Sequence, residues 1–214
     1  IIYNYPDQTP EEVKEDAEIV HSLNIDSSSF YSLMIHEGSK MSKDIKDDVF
    51  HLDYKLETDK ELHNTFMNTL LDTGEYEILE ITKINKKGRD KYKYITLSNK
   101  GTDILPVGLG AGAKLGNYET FRNNYERQFF SYSSDEEQRI KNLSGLFQYP
   151  EVYFEDIKKF VPDNTFNKIY KLLEGMKEKE LMDINKDHIE LKGDGLFWGN
   201  TIGREVISIS LEEE

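Results

Sequence analysis

Cysteine is absent from this chain of 214 residues. These residues therefore hold no disulfide, thiolate zinc site, thiol nucleophile or cysteine-ligated iron–sulfur cluster. A reducing cytoplasm is compatible with that count and is the expected location. No apolar run approaches the roughly 20 residues needed to span a bilayer, and no signal peptide opens the chain, so no membrane partner is expected. Positive charge is scarce: 27 Lys and Arg face 41 Asp and Glu, for a net charge of −14. Such a surface is well solvated and repels phosphates, which argues against a nucleic-acid partner. Only 37% of residues are apolar and mean hydropathy is −0.68, a modest core for a length that fits one large domain or two small ones. Aromatics are plentiful, with 13 Tyr and 11 Phe, too many for a disordered chain.

The most informative stretch is a short apolar run, Ile104-Leu105-Pro106-Val107, entering a loop that continues to Gly116. Gly108, Gly110, Gly112 and Gly116 alternate there with Ala111 and Ala113. Glycines strip side chains from one surface, let backbone N–H groups approach a bulky ligand, and permit φ > 0. The spacing matches neither a Walker loop nor a dinucleotide fingerprint, so by itself it also fits a structural turn.

Around this loop the pattern reads as mixed α/β. Ile1 to Tyr5 form a strand, and Thr9, Pro10 and Glu12 make a capping box for a helix with Val13, Ala17, Val20, Ile19 and Leu23 on its apolar stripe. A strand at about Ser28 to Ile35 completes a parallel β–α–β crossover of roughly 35 residues. Two such strands leave an apolar edge, so the natural protein is expected to continue upstream of Ile1. Thr58 and Glu61 make a second capping box, with Gly74 as the left-handed cap and Leu62, Phe66, Leu70 and Leu71 facing the core. Residues 76–84 and 91–97 read as an antiparallel pair around a polar turn at 85–90. From about Asp135 onward, helices near 135–147, 155–160 and 165–178 precede a small β-wing at 181–191 and a last helix near Asp194. The acidic end, Glu212 to Glu214, is the only low-complexity run. His21, His51, His63 and His188 read as surface histidines without metal-ligand spacing.

Together these stretches suggest a family. Ile2-Tyr3-Asn4-Tyr5-Pro6-Asp7-Gln8-Thr9-Pro10 resembles the Asp-Leu-Ile-Tyr-Gly-Leu-Pro-x-Gln-Thr segment of oxygen-independent coproporphyrinogen oxidases and their relatives. Phe30 to Met41 resembles the family's next strand and loop, and Val107 to Ala113 its Gly-x-Gly-Ala loop. The wing with Leu191 to Ile202 is similar to the family's C-terminal segment. The resemblance implies an α/β fold made of the C-terminal part of a partial (β/α)6 radical S-adenosylmethionine barrel over 1–134, followed by a winged-helix-like domain over 135–214. Members bind a [4Fe–4S] cluster through Cys-x-x-x-Cys-x-x-Cys near the barrel's start and cleave S-adenosylmethionine reductively. That cluster would belong to an upstream N-terminal half, and this chain alone is expected to be silent.

Two departures point within the family. Relatives usually put Ser or His-Ser near the end of the glycine loop, whereas here Ala113 leads into Lys114-Leu115-Gly116-Asn117-Tyr118. Arg89-Asp90-Lys91-Tyr92-Lys93-Tyr94 precedes it. Both look like the anaerobic heme-degrading C-methyltransferases (anaerobilin synthases), which act on heme with electrons from a flavoprotein. The resemblance carries cofactor contacts onto Met34, Gly108, Gly110, Gly112 and Lys114. Lys114 also suits a heme propionate, since an ammonium pairs with a carboxylate in a poorly solvated pocket. His36 follows the second strand at the barrel end where active sites gather, and with Tyr31 and Tyr118 it is a candidate porphyrin contact. Coproporphyrinogen oxidation and non-enzymatic heme carriage stay open as alternatives.

Overall fold

The structure is a computed structural model that describes residues 1–99, 101–122 and 126–212; Glu213 and Glu214 of the acidic end lie outside them. It is a mixed α/β chain that divides into two compact units, Ile1–Lys91 and Tyr92–Glu214. The division falls ahead of the glycine loop, whereas the sequence reading put a boundary after residue 134.

In the first unit, β1 (Ile2–Tyr3), α1 (Pro10–Ser22), β2 (Ser27–Ser29) and β3 (Tyr31–Ser32) lead into α2 (Lys40–Lys46), α3 (Leu56–Leu71), β4 (Tyr76–Glu80) and β5 (Lys83–Lys86). The Thr9 capping box forms: the Glu12 N–H donates to Thr9 Oγ1 and the Thr9 N–H to Glu12 Oε2, at 3.3 and 2.8 Å. β1 and β3 pair in parallel across α1, giving the expected crossover, as a two-stranded sheet. The strand expected at 28–35 is shorter and split. Ser27–Ser29 pair antiparallel with β5, and only Tyr31–Ser32 pair with β1. Phe30 separates them because its ring enters the core between Tyr3 and Phe66, stacked at 4.0 and 3.9 Å.

Val13, Ala17 and Val20 of α1 are buried in one cluster with Leu62, Phe66 and Leu70 of α3. Ile19 and Leu23 are exposed instead; Ile19 stands about 200° round the helix from Ala17, and Leu23 is already the C-cap. The Thr58 capping box does not form. α3 starts earlier, capped by Lys55 without a side-chain bond, and buried Asp59 takes the Tyr54 hydroxyl at 2.7 Å. Gly74 is left-handed as expected, at φ 73°. His63 is no surface residue: it is buried, with Nε2 3.1 Å from the Ile81 carbonyl.

The antiparallel pair lies elsewhere than expected. β4 pairs with β5 through a turn at Ile81 and Thr82, and the polar run expected to turn at 85–90 begins inside β5. Ile84 and Asn85 are fully buried, and Asn85 Nδ2 donates to the Lys86 and Asp90 carbonyls, both at 3.1 Å, so this amide organises the exit loop.

The second unit opens with α4 (Lys93–Asn99), a helix where a strand was expected. β6 (Gly112–Leu115), β7 (Tyr118–Arg122) and β8 (Gln128–Tyr132) follow, then α5 (Asp135–Leu146), β9 (Glu151–Tyr153), α6 (Phe154–Lys158), α7 (Asp163–Lys177), β10 (Met182–Ile184), β11 (His188–Leu191), α8 (Asp194–Phe197) and α9 (Gly199–Leu211). β6, β7 and β8 make one antiparallel sheet, and β9 to β11 another in the order β10–β11–β9. Ser134 and Glu137 form a capping box on α5, which fits acidic first-turn residues Asp135, Glu136 and Glu137. The last helix is broken at Trp198 into α8 and α9. Leu143, Phe147, Ile169, Leu173, Ile202 and Val206 are buried. Packing there leaves no room at Gly195, where a Cβ would lie 1.7 Å from the Leu181 carbonyl oxygen.

Candidate functional site

The glycine loop is anchored at both ends by backbone. Ile104 and Lys114 exchange hydrogen bonds of 2.7 and 3.0 Å, and the Gly110 N–H donates to the Arg122 carbonyl at 2.8 Å. The apolar run before the loop forms no strand beyond the Ile104 bridge, and Leu105 and Val107 are exposed. Gly108 and Gly110 have φ of 88° and 76°, and a Cβ on either would meet nothing within 4 Å. Backbone conformation requires glycine there, and the space in front is open to a ligand. Gly112 is ordinary in φ, and a Cβ there would lie 3.5 Å from the Thr120 carbonyl oxygen.

Register sorts the side chains of this sheet into two sets, because neighbours along a strand point to opposite faces. Lys114 lies opposite Glu119, Glu119 opposite Ser131, and Phe121 opposite Phe129. These five share one face. With Tyr94 and Ser98 of α4 they line a cavity of about 410 Å³, within the range of small-molecule sites. Lys141 of α5 donates to Glu119 Oε1 at 2.8 Å and to Ser133 Oγ at 2.9 Å. Lys114 has no ion-pair partner among the described residues.

Thr120, Arg122 and Gln128 belong to the opposite face. With Gly108, Leu109 and Ala111 they line a second cavity of about 230 Å³, Thr120 bordering the first cavity as well. Tyr118 is on that face too, its ring 5.3 Å from Tyr132. Gly108 and Lys114, grouped by sequence, thus line different cavities, Gly112 stays with Lys114, and Tyr118 is on the face opposite Lys114.

In the first unit, Tyr31, Met34 and His36 follow the parallel pairing out of β3. The Leu33 N–H still donates to the Tyr3 carbonyl, at 2.8 Å. Met34 is 67% exposed, and the His36 carbonyl accepts from the Ser39 N–H at 3.1 Å. Sequence reasoning missed a polar cluster beside them. Asn4 Nδ2 donates to Ser32 Oγ at 3.3 Å, and the Asn4 N–H to Gln8 Oε1 at 2.6 Å; Gln8 is buried with Nε2 lacking a partner. Its only signal was its place in the quoted Pro-x-Gln-Thr stretch. Asp59, buried beside Tyr3 and Tyr54, carried no signal at all. Burial, followed by the Asp59 charge, drives the Tyr3 phenol far above its ordinary range. Tyr54 is pushed up to about 12 by desolvation and its bond to Asp59, so both phenols stay protonated donors.

Among the described residues no group of three or more His, Cys, Asp or Glu is arranged to hold a metal ion. With no cysteine in the chain, an iron–sulfur cluster does not fit these residues. The open backbone at Gly108 and Gly110 does fit contact with part of a nucleoside or amino-acid cofactor. No described helix is long and apolar enough to cross a membrane.

No protein-family model matches this chain, and no curated protein matches it. Among solved structures it is similar to coproporphyrinogen III oxidase from Escherichia coli, described as a radical SAM enzyme, with a TM-score of 0.63 and 13% identity. The match covers 99% of this chain and 54% of that one. At that identity the likeness is one of fold, and the chain spans about half the length of the enzyme it matches.

Proposed function

We propose that this chain is the C-terminal portion of a radical S-adenosylmethionine methyltransferase that opens heme anaerobically and releases its iron, of the anaerobilin synthase type. The fold likeness along nearly the whole chain supports the radical S-adenosylmethionine part of this reading. The single observation that carries the finer part is a convergence. Tyr94 and Lys114 come from the two stretches that depart from the oxidases, and both line the 410 Å³ cavity.

In this reading an N-terminal half supplies the cysteines and the [4Fe–4S] cluster, and a flavoprotein supplies electrons. When bound, the cluster and S-adenosylmethionine supply an adenosyl radical. The second unit's own residues bind: backbone at Gly108 and Gly110 toward S-adenosylmethionine, aromatic walls and Lys114 toward the porphyrin. Helices α5 to α7 with strands β9 to β11 act as a winged-helix-like cap. A second reading, anaerobic coproporphyrinogen decarboxylation, is favoured by the activity in the name of the structural neighbour.

Anaerobic incubation of the intact parent with heme, reductant and S-adenosylmethionine, followed by mass spectrometry, tests the proposal. A linear methylated tetrapyrrole with free iron is expected. Unchanged heme would overturn it. In that case oxidation of coproporphyrinogen would establish the second reading, and stably bound heme without turnover a carrier.

A further inference from the structure

Resting on that reading, we propose that the Lys114 face of the β6–β8 sheet binds one edge of a planar aromatic ring through a single carboxylate, with Lys114 as its partner and Tyr94 as a packing contact. Phe121 and Phe129 stand directly opposite each other on β7 and β8, yet remain 46% and 55% exposed. Adjacent exposed ring faces in a polar, acidic chain are a surface that a flat apolar ligand covers. Tyr94 and Ser98, four residues apart on α4, present one helix face to the same cavity.

Charge then selects the ligand's polar end. Glu119 stands across from Lys114 in the ladder, but its carboxylate is already held by Lys141 at 2.8 Å. The Lys114 ammonium is left as the cavity's positive charge, in a chain whose net charge is −14. One ammonium balances one carboxylate. A phosphate, with up to two charges and more acceptor atoms, is served by convergent backbone N–H groups, and Gly108 of the glycine loop lines the other cavity. The chemistry therefore fits a ring-borne carboxylate, as on the rim of a porphyrin, better than a nucleotide.

The test uses this chain without cluster or turnover. Protoporphyrin IX and its dimethyl ester, delivered in the same dilute detergent, are titrated into the protein and followed by the shift of the porphyrin absorption band. The free acid is expected to bind about ten-fold tighter than the ester, the order of one charge-assisted hydrogen bond in a half-open site. Lys114→Ala should remove that ratio and Lys114→Arg keep it, while Tyr94→Ala should weaken acid and ester alike. Far-UV circular dichroism confirms that each variant is folded. An unchanged ratio in Lys114→Ala, no binding of either porphyrin, or displacement of the acid by AMP overturns the inference. Loss of the ratio in a protein whose parent leaves heme unchanged would uphold the pocket and overturn the methyltransferase reading. Heme opening by a parent with an unaltered ratio would do the reverse.

Discussion

The aromatic side chains of the first unit's core and those of the β6–β8 sheet are used in opposite ways. Tyr3, Phe30 and Phe66 stack into a buried column between α1, α3 and the strands, with Phe30 and Phe66 fully inaccessible. On the β6–β8 sheet, Phe121, Phe129 and Phe130 are open, Phe130 at 70% exposure. A ring packed on all sides stabilises the fold by its transfer and packing energy. A ring left in water on a sheet face contributes little to folding and has its energy available for a ligand. The same residue type thus reports stability in one region and, in the other, forms the surface that the proposed ligand would cover.

The sharpest way to break this contrast is truncation. Phe66→Ala should cost about 3–5 kcal/mol, seen as a lower denaturation midpoint of the first unit. Phe130→Ala should stay within about 0.5 kcal/mol of wild type. Equal losses would erase the distinction. Glycines repeat the comparison at a smaller scale. Gly195→Ala drives a methyl into the Leu181 carbonyl and should cost about 3 kcal/mol by overpacking. Gly110→Ala meets open space and should cost only the left-handed penalty of about 1–2 kcal/mol, measured by thermal unfolding of each variant.

Local signals were read well where the chemistry is local. Thr9, Pro10 and Glu12 announce α1 through bonds made within four residues, and Thr9→Ala should lower stability by about 1 kcal/mol in a thermal melt. Signals failed where the element formed runs against local propensity. Tyr92 to Leu97 is rich in aromatic and β-branched residues, yet Lys93–Asn99 is a helix with no buried residue. Asn85 and Lys86 read as the start of a polar turn, but both belong to β5, where Asn85 is fully buried. The candidate site was half legible. Glycine content marked the loop, but the two-residue alternation that puts Lys114 and Gly108 on different cavities depends on where β6 starts, which spacing does not reveal. Gln8 and Asp59 became visible only through burial.

The smallest effect probes polarity inside the closed unit. Glu80 is buried at the end of β4, its Oε1 lacks a partner, and burial raises its pKa, partly opposed by Lys83. A carboxyl whose pKa is raised on folding favours the fold when protonated. Its stabilising contribution is fully present below the unfolded value and is lost as pH rises through the folded one. Glu80→Gln should therefore be more stable than wild type at pH 7, on the order of 1 kcal/mol. That advantage should shrink as pH falls toward about 4.5, the ordinary glutamate range. A difference in melting temperature that stays constant across this range contradicts the assignment.

Hydrogen exchange of the folded chain, with and without protoporphyrin IX, tests the division between structural and ligand-facing rings most directly. Amides of β6, β7 and β8 should slow markedly on adding the porphyrin, while those of α1, α3 and β1 to β5 keep their rates. Protection spread over the first unit, or no change in the sheet, would contradict the account.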